Sequence, residues 1–164
     1  MKSSFASAAG SMVEIYPSFA VSSEAGAVAS MLSDMDDKTL ESISLGKPKT
    51  DALQQLYAAF CEACQPGWDG YGAVAAAYDG YVKAEKFIKA LPANIPAPEV
   101  AIDPDGEISL EWYRAPRRVF SVSIGSNDEM TYAGVFGKSN AHGTETFNFQ
   151  IPTPVLINLR RLLA

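Results

Sequence analysis

Between Leu91 and Pro98 the hydrophobic pattern of this chain changes its period. The stretch LPANIPAP holds Pro92, Pro96 and Pro98, and a proline lacks the N–H that a helix interior needs and pushes the residue before it toward extended backbone. Before the prolines, apolar residues recur at helical spacing. Leu53, Leu56, Tyr57, Phe60 and Cys64 mark one helix, stopped by Pro66 and Gly67. Ala77, Tyr81, Ala84, Ile88 and Leu91 mark a second, from about Val74 to Ala90. After the prolines, the spacing is two. Ile108, Leu110 and Trp112 alternate with Ser109, Glu111 and Tyr113, and Phe120, Val122 and Ile124 repeat the pattern. Alternation of this kind puts successive side chains on opposite faces of a strand.

The expected architecture is therefore α+β: two helices packed on an antiparallel β-meander of four to five strands, with a C-terminal helix. The strands expected are Val100–Ile102, the two alternating runs, Met130–Phe136 and a weaker one over Thr144–Gln150. DPDG at 103–106, the proline-containing 114–117 and GSNDE at 125–129 supply the turns. In the closing IPTPVLINLRRLLA, Pro154 suits a first helical turn, and Val155, Leu156, Leu159 and Leu162 follow at helical spacing. Thr50 is read as the cap of the first helix, with Asp51 in its first turn. GKPK at 46–49 is read as a hinge. Residues 1–49 are rich in Ser, Ala and Gly and form a partly ordered appendage to a single domain over 50–164. Within them, a strand near Met12–Tyr16 and a short helix near Gly26–Leu32 are expected.

Several function classes are disfavoured at once. The 164 residues carry a net charge of −6, whereas binding nucleic acid calls for clustered Lys and Arg that displace counterions. The arginines Arg114, Arg117 and Arg118, with Arg160 and Arg161, are few and separated. No apolar run approaches the ~20 residues of a membrane span, and the start has no continuous apolar segment of a secretory signal. A cytoplasmic protein with no membrane partner is expected.

Chemistry-bearing residues are sparse. Cys61 and Cys64 are spaced as in a redox pair or half a zinc site. They fall at the end of a helical pattern, where the dipole opposes a thiolate; zinc would need two more ligands, and His142 is the only histidine. Burial of Cys64 beside its helix is the expectation, and no metal or cofactor is expected. DPDGE at 103–107 places three acids near one another, but its glycine and acids are not spaced as in a calcium loop, so a hairpin turn accounts for them. Glu107 and Glu111 share a strand face and are read as about 7 Å apart, a separation that would suit an inverting hydrolase but also suits any solvent-facing strand. His142, in SNAHGTE, is the one candidate for a neutral-pH base and is expected in a solvated loop. GWDGYGA lacks the lysine and hydroxyl of a phosphate loop.

GWDGYGA at 67–73 falls between the two helices. Its glycines permit a sharp reversal, Asp69 can accept backbone N–H bonds, and Trp68 and Tyr71 are large enough to fill the space between the helix pair and the sheet. The order WDGYGA, a lysine-bearing helix ending in LP, and then PDGEISLEW resembles a widespread set of small bacterial and phage proteins. Their shared pattern is W-D-G/S-Y-G-A, L-P, then P-D-G-x-x-x-x-E-W, matched here over about residues 51–137. No activity attaches to that pattern. The resemblance implies an accessory protein of a mobile element and draws notice to Trp68, Asp69, Gly70, Tyr71, Gly72, Asp105, Gly106, Glu111 and Trp112.

The leading expectation is a non-catalytic protein–protein interaction module, in the manner of an antitoxin, immunity or anti-defence factor. It would bind through the exposed sheet face or an edge strand, and a homodimer through such an edge is also open. The candidate binding residues are Trp68, Asp69, Tyr71, Glu111, Trp112 and Arg114. Two alternatives stand beside it. A hydrolase would need Asp69, Glu111 and His142 to converge. A binder of small ligands or nucleic acid would show exposed aromatics beside Arg114, Arg117 and Arg118.

Overall fold

A computed structural model describes residues 46–164, and the strand expected near 12–16 and the helix near 26–32 lie outside the described residues. The described part is an α+β fold of three helices and one five-stranded antiparallel sheet. The helices are α1 (Lys47–Glu62), α2 (Tyr78–Ala90) and α3 (Thr153–Leu163). The strands β1 (Glu99–Ile102), β2 (Ile108–Ala115), β3 (Arg118–Ile124), β4 (Glu129–Phe136) and β5 (Ser139–Thr146) run as a simple meander, in sheet order β1-β2-β3-β4-β5.

One face of the sheet carries the core. Ile108, Leu110 and Trp112 of β2, with Phe120, Val122 and Ile124 of β3, are buried against Leu56 of α1, Ala84, Phe87 and Ile88 of α2, and Val155, Leu159 and Leu162 of α3. The alternation in the sequence thus translates directly into an inner and an outer face. On the outer face lie Ser109, Glu111 and Tyr113 of β2 and Ser121 and Ser123 of β3, with Thr131, Ala133, His142 and Thr144 beside them in register. No helix among the described residues is long and apolar enough to cross a membrane.

Three elements start three or more residues away from the sequence expectation. The first helix begins at Lys47, not Thr50, so GKPK is its first turn rather than a hinge. Pro48 sits where a helix start tolerates it. Lys49 reaches across to donate to the carbonyls of Lys89 and Leu91 at the end of α2. Thr50 is not the cap, since its hydroxyl and N–H both donate back to the carbonyl of Gly46, and Asp51 lies beyond the first turn. The second helix begins at Tyr78, not Val74. The N–H groups of Val74 and Ala76 are taken by the carbonyls of Pro104 (2.8 Å) and Ala63 (2.9 Å), which holds this alanine-rich run out of the helix. The fifth strand covers 139–146 rather than 144–150. His142 is therefore a strand residue on the outer face, not a loop residue.

Two hairpin tips also brace each other. The N–H of Gly137 donates to the carbonyl of Arg117 at 2.7 Å, and Arg117 Nε donates back to the carbonyl of Gly137 at 2.9 Å.

Candidate functional site

The corner at 67–76 is built by its own hydrogen bonds. The Asp69 carboxylate accepts from the backbone N–H of Tyr71 (2.8 Å) and of Ala73 (3.0 Å), an Asx-type closure. Trp68 Nε1 donates to the carbonyl of Val74 at 3.1 Å, and its half-buried ring packs against the core. The N–H of Gly67 donates to the carbonyl of Ala73 at 2.7 Å. Gly72, at φ 98°, occupies backbone space that side-chain-bearing residues avoid. The corner then seats on the β1–β2 turn. There the N–H of Asp103 donates to the carbonyl of Glu107 (2.9 Å), and the Asp105 carboxylate accepts the N–H of Glu107 (3.0 Å). Val74, directly after WDGYGA, donates its N–H to the carbonyl of Pro104, so the corner meets the PDG turn at this residue.

Tyr71 departs from expectation. It does not fill the space under the corner but stands 96% exposed. The loop that presents it is nonetheless organised, since its own N–H is held by Asp69. The helices that the corner joins add a surface aromatic cluster: Phe60 lies 4.8 Å from Tyr81 and 6.3 Å from Tyr78, and the Tyr78 and Tyr81 rings stack at 6.0 Å. Tyr78 is 66% exposed and Tyr57 61%. A hydrogen bond to Cys61 raises the Tyr57 phenol above its ordinary value. Both cysteines are exposed, which overturns the expected burial of Cys64; its thiol turns back toward the carbonyl of Cys61 at 3.2 Å.

Glu111 and Trp112 lie on opposite faces of β2. Trp112, 4% exposed, is a core residue: its indole N–H donates to the carbonyl of Pro96 at 2.7 Å, and its ring meets Phe87 and Phe120. Glu111 is exposed directly opposite Glu99 of β1. With Pro96, Tyr113 and Arg114, these two acids border a pocket of ≈ 220 Å³.

The hydrolase constellation is not assembled. Glu111 and His142 share one cross-strand row, Glu111–Ser121–Ala133–His142. Three strand spacings separate them, about 14 Å. Asp69 sits in the corner with its carboxylate engaged by backbone. The 7 Å read for Glu107 and Glu111 is also corrected: four residues of extended chain span about 13 Å, beyond the range for either class of glycosidase pair. Among the described residues, no group of three or more His, Cys, Asp or Glu side chains is placed to hold a metal ion.

The arginines are largely committed to the fold. Arg118 donates to the last carbonyls of α3 at Arg161 and Leu162, Arg117 braces the hairpin tips, and Arg161 lies over the Phe136 ring at 4.4 Å. Only Arg114 and Tyr113, exposed and adjacent, retain the aromatic–basic pairing that the nucleic-acid alternative requires.

The carboxylates differ in their response to pH. The N–H groups of Ala73 and Tyr71 hold Asp69 below its ordinary pKa. Desolvation, then the neighbouring Asp105, raises Asp103 and Glu107. A depressed carboxylate contributes stability above its unfolded pKa, about 3.9 for Asp, and that contribution is lost as pH falls through the folded value. The raised pair has the opposite sign, stabilising in acid and losing that as pH rises through their folded values. Asp69→Asn is therefore expected to lower the urea midpoint at pH 7, and the gap from wild type should narrow as pH is taken down into the acid range. A gap constant with pH would show that the charge on Asp69 does not hold the corner.

Searches with protein-family models and against curated proteins and solved structures find no match to the chain.

Proposed function

We propose that this protein is a non-catalytic protein-interaction module whose contact surface is the corner between α1 and α2, with Tyr71 as its anchor. The observation that carries this reading is a tyrosine 96% exposed on a loop whose backbone is fixed by Asp69. Exposed aromatic side chains are common interface anchors, because they bury a large area for few rotatable bonds. A pre-formed loop also reduces the ordering cost of binding. Tyr57 and Tyr78 extend the aromatic surface on the flanking helices. The dispersal of Asp69, Glu111 and His142 removes the support for a hydrolase. A role like that of an antitoxin, immunity or anti-defence factor belongs to this proposal, since such proteins act by occupying a partner.

The test is a photo-crosslinking residue at position 71 of the full chain, expressed in the native host, beside the same residue at exposed Thr153. A discrete adduct at 71 and not at 153 is expected. Tyr71→Ala should then abolish co-purification of the protein so identified while changing stability by no more than about 0.5 kcal/mol, as for other exposed sites. No adduct at 71, or a partner retained by Tyr71→Ala, removes this surface as the site.

A further inference from the structure

The two edges of the sheet are treated differently. β1 has four residues, is preceded by Pro96 and Pro98, and packs against α1. Shortness, proline and a covering helix are the usual protections of an edge strand. Among the described residues, β5 has none of them. It runs eight residues, SNAHGTET, without proline, lysine or arginine, and pairs with β4 without a register shift. Among the described residues, its chief packing partner is β4. No described backbone group outside the sheet hydrogen-bonds to residues 140–146.

We propose that β5 is the interface of a homodimer, pairing antiparallel with β5 of a second copy about a two-fold axis at His142. An antiparallel pair sets same-face residues opposite each other, and the strand is self-complementary in this register. His142 meets His142 of the second copy, Asn140 meets Thr144, Ala141 meets Gly143, and Ser139 meets Glu145. Glu145, the only carboxylate in the strand, thus faces a hydroxyl instead of its own copy, and Lys138, just before the strand, comes within a residue step of it across the interface. Ala141 and Gly143 are small enough to leave the approach unobstructed. The product is one ten-stranded sheet with both helical layers on the same side. This surface is separate from the corner that carries Tyr71, so either proposal can fail alone.

The axis gives a sharp test, because position 142 meets only itself. The full-length wild type is expected to sediment at about twice its 17.5 kDa mass in the micromolar range. His142→Lys and His142→Glu each place like charges face to face and should each sediment as monomers with unchanged circular dichroism. An equimolar mixture of the two should recover the dimer. A wild type that stays monomeric up to several hundred micromolar overturns the proposal. So does a dimer indifferent to both substitutions, which would place the contact elsewhere, and so does a mixture of the two variants that stays monomeric.

Discussion

Replacing Trp112 with alanine is expected to destabilise the protein by about 3–5 kcal/mol, the range for removing a buried aromatic side chain. The ring lies between Phe87 of α2 and Phe120 of β3, so its loss opens a void where the helix layer meets the sheet. The substitution also strips the carbonyl of Pro96 of its donor. Pro96 lies in the segment leading to β1, which the indole N–H helps to hold beside the buried Ile95. Trp112→Phe separates the two effects: it retains most of the ring and deletes the hydrogen bond, for a loss of about 1–2 kcal/mol. Thermal or urea unfolding measures both, and equal losses for the two variants would show that packing around the ring contributes little. The comparison also bears on binding experiments. Lost binding in Trp112→Ala reports on folding, whereas Glu111→Ala, on the outer face of the same strand, reports on that surface.

The sheet was largely legible because alternation is a local signal with a global meaning. Ile108-Leu110-Trp112 and Phe120-Val122-Ile124 each show which face is buried, and the structure buries those faces. Helix ends were less legible because distant groups decide them. Nothing near Val74 or Ala76 in the sequence announces that the carbonyls of Pro104 and Ala63 will take their N–H groups. Lys49 likewise gives no local sign of capping α2. β5 was placed late because its Gly143, Ala141 and Asn140 lack the β-branched and aromatic residues that mark a strand; pairing with β4 makes it one. At the candidate site, the role of Asp69 could be read from Asp-Gly chemistry. The exposure of Tyr71 could not, since an aromatic among glycines serves equally as a plug or as a display.

Gly106→Ala is expected to cost about 2–3 kcal/mol. Two independent costs meet at this position. Its φ of 86° lies in the left-handed region, where an L side chain costs roughly 1–2 kcal/mol. A Cβ there would also stand 2.9 Å from the carbonyl oxygen of Ala75, a backbone atom with no rotamer to retreat into. Relief would require the turn and the corner to move apart, lengthening the 2.8 Å bond from the Val74 N–H to the Pro104 carbonyl. Gly137→Ala is the matched control: its φ of 72° imposes similar strain, but nothing lies within 4 Å of the added carbon. The difference between the two losses in urea unfolding therefore isolates the contact between corner and turn. A clearly larger loss at Gly106 means that the end of the corner, at Val74–Ala75, is kept on the PDG turn by close backbone contact, and that disturbing the turn should weaken whatever binds at Tyr71. Equal losses would mean the corner stands without the turn.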